Sequence, residues 1–359
     1  MDLRISPKLN YSDKIYSLKE RMDFYGFPGM SIAVIKDFEL AKVATFGVKD
    51  SKSKAEVTEN TLFQAASISK PITALITFRL IEKGLLDLDE DANNHLKGFK
   101  TIDTKGKQMA ISIKELLSHT GGLSISGFPG YSFHDKIPTM EQIFKGIPPS
   151  NTNAIMVEFN KGEYHYSGGG YTILQRVIED VTGMNFESVA KKEVFDILNV
   201  ESSTFRFVTK KDDFSSGHRL KNRVRGKFHR YPEKAAAGLW TTPKDLANII
   251  IELLNIYNNR TPGDFLAKES MTEIFTPVQT ARGDFMGLGF FIKKTEDGIY
   301  FYHDGWNEGF LSKFFANLKK GYGLVVMTNS DNGLDLMDEV FVSLAKKYKW
   351  GELEDYNFY

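Results

Sequence analysis

Proline at position 71 decides where a helix in this chain can begin. The run Phe63-Gln64-Ala65-Ala66-Ser67-Ile68-Ser69-Lys70-Pro71-Ile72-Thr73 passes from a short strand-like stretch into apolar residues at 68, 72, 75, 76 and 80, which is helical spacing. Proline lacks the donor that an interior turn needs, so it is tolerated only in a first turn, and the helix must start just before it. Gly84 suits the position after the last turn. Ser67 therefore falls at the helix N-terminus, where free N–H groups and the positive end of the dipole favour an anion. Lys70, one turn on, lies on the same face. This short stretch offers a nucleophile, a nearby base and an oxyanion donor.

The spacing alone is not selective. Ser-x-x-Lys occurs four times, at Ser51/Lys54, Ser67/Lys70, Ser188/Lys191 and Ser343/Lys346. Any one of these can be a serine and a lysine on a solvated helix or loop. Ser51 sits in the polar turn Asp50-Ser51-Lys52-Ser53-Lys54, and Ser188 and Ser343 lie inside helical patterns whose N–H groups are already used. Only Ser67 follows a strand-like run and opens a largely apolar helix.

With 359 residues the chain suits one large domain or two interlocked ones, and 42% apolar residues with 28 phenylalanines allow a sizeable core. The formal net charge of zero argues against whole-molecule binding to nucleic acid or an anionic membrane. Cysteine is absent, which excludes disulfides, thiolate metal sites and a cysteine nucleophile. The start, Met1-Asp2-Leu3-Arg4-Ile5-Ser6, has no apolar core of a signal peptide, and no run approaches 18 apolar residues. The expectation is a cytoplasmic protein as written, extracytoplasmic if a leader was removed, with no integral membrane segment. Oligomeric state is left open.

In chain order, residues 12 to 25 read as a helix with Ser12 as N-cap, Ile15, Leu18, Met22 and Tyr25 on one face and Gly26 as stop. Met30 to Lys36 and Glu39 to Gly47 read as a hairpin joined through Asp37-Phe38. After the Ser67 helix, further helices are expected at Ile111 to Ser118, near 139 to 145, through Thr182 after an opening at Tyr164 to Tyr171, and at about 185 to 197, with loops rich in Gly, Pro, Ser and Asn between 124 and 163. Thr242 and Pro243 open a helix to Tyr257. After a linker, strands are expected at Gly287 to Lys294, Ile299 to Asp304, Phe310 to Leu318 and Gly323 to Asn329, and a last helix at Leu334 to Tyr348. Strands at both ends thus bracket a helical middle. The expected class is α+β: an antiparallel sheet flanked by helices, built from residues 1–65 and 245–359, with an inserted, mostly helical subdomain at 66–244. Active sites commonly sit at such a junction.

Residues 206 to 234 carry ten Lys and Arg against three acids, a local excess of seven. The segment reads either as a solvated ribbon or as a border of the site that attracts a carboxylate-bearing substrate.

Three clusters in order, Ser67/Lys70, Tyr166 before a helix, and His303-Asp304-Gly305 near the end of a strand, resemble the serine hydrolases of the penicillin-binding protein and class C β-lactamase family. The resemblance runs from Pro28-Gly29-Met30 to the C-terminal helix. Leu116-Leu117-Ser118-His119-Thr120-Gly121-Gly122-Leu123 is similar to the turn after that family's second helix. Tyr166-Ser167-Gly168 stands where the family has Tyr-x-Asn, and His303-Asp304-Gly305 where penicillin-binding enzymes have Lys-Thr-Gly. Ala237-Gly238-Leu239-Trp240-Thr241-Thr242-Pro243 and Asn307-Glu308-Gly309-Phe310 resemble the esterase and D-peptidase branch.

The resemblance implies a β-lactamase/DD-peptidase-like fold and an acyl-enzyme mechanism. Ser67 Oγ attacks a carbonyl, with Lys70 or Tyr166 as base. The phenol needs a pKa lowered by neighbouring cations, Lys70 and His303, if it is to serve. The N–H groups of Ser67 and Trp306 form the oxyanion hole, and His303, with Gly305 beside it, binds substrate or steadies Tyr166. No cofactor or metal is implied. Partners are a small-molecule or short-peptide substrate, and no nucleic acid. The activity implied is that of an esterase, a D-amino-acid peptidase or a penicillin-binding carboxypeptidase; glycine at 168 removes the family's side-chain amide, which disfavours lactam turnover and fits an esterase or D-amino-acid peptidase better. The alternative is a catalytically weak β-lactam- or peptide-binding protein on the same scaffold. The seven histidines (95, 119, 134, 165, 218, 229 and 303) show no metal-ligand spacing, and no phosphate-binding loop is present.

Overall fold

The computed structural model describes residues 3–5, 15–219, 222–261 and 263–351. A strand pair, β1 (Arg4–Ile5) and β2 (Tyr16–Ser17), leads into α1 (Leu18–Tyr25). Ser17, not Ser12, caps this helix: its Oγ accepts from Glu20 N–H, and the Glu20 carboxylate accepts from Ser17 N–H at 2.7 Å. Ser12 lies outside the described residues, and Ile15 is exposed rather than on the buried face. β3 (Gly29–Lys36) and β4 (Glu39–Gly47) form the expected hairpin. Asp37 and Phe38 both take positive φ, 54° and 67°, the mirror-image turn whose twist suits a two-residue connection.

The helical middle follows β5 (Phe63–Ala66) and comprises α2 (Ser69–Glu82), α3 (Ile113–Leu117), α4 (Met140–Lys145), α5 (Gly168–Thr182) and α6 (Phe186–Ala190), the last running on through a π turn to Phe195. Then come the small ladder β6 (His218–Arg219) and β7 (Asn222–Arg223), the single turn α7 (Lys234–Ala237), β8 (Leu239–Thr241) and α8 (Pro243–Tyr257). The residues read as a linker instead hold α9 (Lys268–Ile274), β9 (Gln279–Ala281) and β10 (Asp284–Met286). The chain closes with β11 (Phe291–Thr295), β12 (Gly298–Asn307), β13 (Phe310–Asn317), β14 (Gly323–Thr328) and α10 (Asp335–Tyr348).

One eight-stranded antiparallel sheet, in the order β4-β3-β14-β13-β12-β11-β10-β9, unites the two ends of the chain. Alternation along the strands decides which layer each side chain meets. Ile32, Val34, Leu324 and Val326 face Leu18 and Met22 of α1 and Met337, Val340 and Leu344 of α10. Ala33, Val325 and Met327 face the other way, into the core shared with Leu246, Ile250 and Leu253 of α8. Because β14 is covered on both faces, its sequence Gly-Leu-Val-Val-Met-Thr is apolar without alternation. A buried pair, Lys313 Nζ to Asp338 Oδ1 at 2.9 Å, ties α10 to the sheet.

Helix α2 runs through the centre of the helical layer. Eleven of its 14 residues are buried, so it is apolar all round rather than striped. Strand β5 does not join the large sheet. It pairs with β8 and lies across β12 and β13, and this places Ser67 at the seam between sheet and helices.

The basic residues of 206 to 234 are largely engaged within the fold. Arg206 pairs with Asp212, Arg223 with Asp50 at 3.0 Å, Lys234 with Glu187, and Arg219 with Glu308 at 3.3 Å. Arg230 donates to the carbonyls of Ser132 and Asp135 at 2.8 and 2.7 Å. Among the described residues no helix is long and apolar enough to cross a membrane, and no group of three or more His, Asp or Glu could hold a metal ion.

Candidate active site

Ser67 lies in the tight turn between β5 and α2, not inside the helix. Ala66, just before it, has φ of 49°, a conformation that L residues seldom adopt and that needs support from its surroundings. The support is Ser69, whose Oγ donates to Ala66 O at 2.6 Å while accepting from Leu239 N–H at 2.9 Å. Ser312 Oγ on β13 holds Ala65 O at 2.7 Å. The serine is thus set by three strands. Its own N–H has no acceptor among the described residues.

Pro71 occupies the first turn of α2, as its missing donor requires, and Lys70 beside it points into the seam. Lys70 Nζ donates to Ser67 Oγ at 3.0 Å and to Ala236 O of α7 at 2.9 Å. Thr73 Oγ1, one turn on, reaches Ala235 O at 3.0 Å, so α7 is fastened to α2 at two successive carbonyls. Lys70 has no carboxylate within ion-pair distance among the described residues. Burial pulls its pKa down from 10.5 to about 7; Asp304 opposes the shift and Arg282 adds to it.

Tyr166 closes the site from the start of α5. Lys70 Nζ stands 4.8 Å from its ring centroid, and its phenol faces the Ser67 hydroxyl. The lowering expected of this phenol does not occur. Burial drives its pKa well above 10, and the opposing contact with Ser67 is smaller. His119 backs the ring at 4.4 Å between centroids. Its Nδ1 accepts from Ser167 N–H at 3.0 Å, which leaves the proton on a buried Nε2 without a partner among the described residues. Burial and the nearby cations hold His119 neutral.

His303 is brought to the same seam, 6.3 Å from Tyr166 and 5.2 Å from Phe291 between ring centroids. It does not supply charge. Its Nδ1 lies 2.7 Å from Asp304 O, an acceptor only, so Nδ1 carries the proton, and burial lowers its pKa to about 4. Gly305 is glycine because a Cβ there would stand 2.2 Å from Ala65 O. The two-residue turn Glu308-Gly309 makes Asn307 and Phe310 a hydrogen-bonded pair, so by alternation Trp306 N–H points away from β13. β11 pairs with β12 only as far as Tyr302, which leaves that edge open from His303 onward. The Trp306 indole itself is 62% exposed at the rim.

Two other residues at the seam were given no role from the sequence: Arg282 was not singled out, and Asn307 was quoted only as part of a motif. Arg282, at the tip of the β9–β10 hairpin, lies 5.2 Å from the Tyr166 ring centroid. Asn307 Nδ2 donates to Gln64 Oε1 at 2.8 Å and to Ala237 O at 3.1 Å, joining β12, β5 and α7. The His119-Thr120-Gly121-Gly122 turn was visible as a turn, but nothing in its composition announces that the imidazole braces Tyr166.

A buried lysine on a strained-turn serine, roofed by a tyrosine between a helical layer and an antiparallel sheet, is the architecture of the serine-hydrolase superfamily of penicillin-binding proteins and β-lactamases. A family model described as Beta-lactamase matches residues 17–346, and the chain belongs to that family. It is 24% identical over 336 residues to penicillin-binding protein 4* of Bacillus subtilis (strain 168), covering 87% of this chain and 70% of that one. It is 23% identical over 309 residues to protein flp of Staphylococcus aureus (strain N315), covering 84% of this chain. The chain spans only 59% of the length of that flp protein. In fold it is similar to the octameric penicillin-binding protein homologue from Pyrococcus abyssi, with a TM-score of 0.74 and 22% identity over 94% of this chain and 77% of that one.

Proposed function

We propose that this chain is a serine hydrolase that works through an acyl-enzyme on Ser67 and cleaves ester or amide bonds. The observation that carries the reading is Lys70: buried, 3.0 Å from Ser67 Oγ, and with a pKa of about 7. A lysine that is half neutral near pH 7 has a lone pair available to take the serine proton, which an ordinary lysine does not.

In the proposed cycle Ser67 Oγ attacks the substrate carbonyl, its proton passes to Lys70 Nζ, and the carbonyl oxygen becomes the oxyanion. Ser67 N–H, without an acceptor among the described residues, and Trp306 N–H, on the open edge of β12, are the proposed donors to it, each worth about 2.7–4 kcal/mol in such holes. The raised pKa of Tyr166 suits a donor better than a base, so it returns a proton to the leaving alcohol or amine while Lys70 resupplies it. Water then attacks the acyl-enzyme and Ser67 regains its proton. His303, neutral and buried, steadies the wall beside Tyr166 rather than binding a carboxylate through charge.

Esters and D-amino-acid peptides are the proposed substrates, with β-lactams poor ones, because position 168 has no side chain to orient an amide. Whether the chain acts as carboxypeptidase, esterase or slow β-lactam binder is decided by turnover. The test is intact-mass detection of covalent adducts with a fluorophosphonate, a penicillin, an aryl ester and a D-Ala-D-Ala peptide. Labelling of Ser67 with turnover of ester or peptide is expected, and loss of both in Ser67→Ala. A folded protein whose Ser67 stays unlabelled would end the reading. An adduct that persists without turnover would favour the binding-protein alternative.

A further inference from the structure

The loop from Ser124 to Tyr131 is fastened on both sides. Ser167 Oγ donates to Ser124 O at 2.7 Å, and Gly169 N–H and Gly168 N–H reach Ile125 O at 3.0 Å and Ser126 O at 3.2 Å. At its other end His229 Nδ1 donates to Pro129 O at 2.9 Å, and Gln64 Nε2, on the strand that delivers Ser67, holds His229 O at 2.8 Å. Tyr131 and Arg230 exchange backbone hydrogen bonds at 2.9 and 2.7 Å. The loop is therefore a rigid part of the wall between the start of α5 and β5.

Phe128 is, with Ile125, a half-buried apolar side chain of this loop, and one edge of its ring lies against Gly168. A Cβ added at 168 would stand 2.9 Å from Phe128 Cε2, 3.4 Å from Cδ2 and 3.2 Å from Ser126 O. Neither Gly168 nor Gly169 takes a positive φ; a Cβ at 169 would first meet a backbone atom, Ser124 O at 2.7 Å, whereas at 168 the nearest atom belongs to the Phe128 ring. Space at 168 has been given to the phenyl ring. Two residues from Tyr166, the ring edge thus occupies the space into which a residue-168 side chain would project.

We infer that Phe128 sets the acyl-group specificity of this hydrolase: its ring selects substrates whose acyl side chain is apolar and rejects those with an amide there. The inference rests on the acyl-enzyme reading of Ser67. An apolar acyl group covers the exposed ring face and gains by leaving water. An amide laid on the same face loses water without finding a donor or acceptor from the ring. Discrimination of this kind in an apolar wall runs to roughly 10–200-fold.

The experiment compares kcat/KM for p-nitrophenyl phenylacetate and p-nitrophenyl N-acetylglycinate in the wild type, Phe128→Leu, Phe128→Ala, Gly168→Asn and the double variant Phe128→Ala/Gly168→Asn. Each protein is also checked by fluorophosphonate labelling and thermal unfolding. The wild type is expected to prefer the phenylacetyl ester about ten-fold or more. Phe128→Leu keeps most of that preference and Phe128→Ala loses it. Gly168→Asn, forced against the ring, gains little on the amide-bearing ester, whereas the double variant gains on it by more than the two single changes together. Unchanged preference in Phe128→Ala, or strictly additive effects at 128 and 168, would overturn the inference while labelling of Ser67 persists. Should Phe128→Ala fail to fold, Phe128→Leu and Gly168→Asn still decide it: the inference then fails if Leu abolishes the preference or if Asn alone confers it on the amide-bearing ester. Loss of labelling in the wild type strikes at the acyl-enzyme reading instead.

Discussion

Lys70 Nζ lies 3.0 Å from Ser67 Oγ, with Asp304 and Arg282 acting on it in opposite directions. Neutral Lys70 is the form with a lone pair, so acylation of Ser67 should rise with pH through about 7, the pKa that burial gives the lysine. Arg282 lowers that pKa and Asp304 raises it. Arg282→Gln should therefore move the acid limb of kcat/KM to higher pH, and Asp304→Asn should move it lower. The pH profile of aryl-ester hydrolysis checks both. Limbs that stay fixed, or move in the reverse sense, would remove Lys70 as the titrating base.

Tyr166→Phe deletes one oxygen and leaves the ring where His119, Lys70 and Phe291 hold it, at 4.4, 4.8 and 6.4 Å. If the phenol returns the proton to the leaving group, kcat should fall roughly 10²–10⁴-fold. Thermal stability should barely change. The loss should be larger for an alkyl ester, whose leaving alkoxide needs the proton, than for a nitrophenyl ester. Steady-state kinetics on the two ester types measures this, and equal loss on both would assign Tyr166 a packing role.

The parts of this molecule that were legible in the sequence are those governed by local rules. Pro71 placed the start of α2, Asp37-Phe38 the first hairpin, and Thr242-Pro243 the start of α8. The convergence of Ser67, Lys70, Tyr166 and His303 was readable because each sits beside a turn or element end with its own signature. Charge states were not readable. Lys70 and His303 were expected to lower the Tyr166 pKa as cations, but His303 is buried and held neutral, and at Tyr166, partly buried, desolvation outweighs every neighbour. β9 and β10 escaped notice because three-residue strands are too short to show a period, yet their turn delivers Arg282 to the site. The start of α1 was missed because the capping box at Ser17-Glu20 overrode an apolar pattern that continued upstream of it.

Glu233 is fully buried just before α7, and neither carboxyl oxygen has a hydrogen-bond partner among the described residues. Burial raises its pKa from 4.5 to about 8. The folded protein therefore binds a proton that the unfolded chain releases between those values, so this residue's contribution to stability is present below pH 4.5 and is lost as pH rises through about 8. Glu233→Gln removes the ionisable group while preserving shape. Its unfolding free energy should gain on the wild type's as pH rises from 5 to 9, by an amount on the order of a few kcal/mol at the alkaline end, and its melting temperature should rise relative to the wild type's accordingly. Scanning calorimetry across that range is the measurement, and a difference between the two proteins that does not change with pH would refute it.

His218 uses both ring nitrogens in its neutral form. Nδ1–H donates to Asn329 O at 2.9 Å, and Nε2 accepts from Ser51 N–H at 3.1 Å, so a second proton would face a donor. Burial lowers its pKa below 6.5, and it lowers those of His119 and His303 in the same direction. For a base held neutral by the fold, the unfolded chain binds more protons once pH drops below the unfolded value. Stability is thus complete above about pH 6.5 and is lost as pH falls beneath it. This window lies above the range in which depressed carboxylates such as Asp50 titrate. Glu233 acts in the opposite sense over the same range, so the comparison is between proteins: in denaturant unfolding between pH 7 and 5, the wild type should lose more stability, or gain less, than His218→Gln as pH falls, by up to one proton in slope, even if the variant's absolute stability is lower. Identical slopes in the two proteins would mean that the buried His218 imidazole does not oppose protonation.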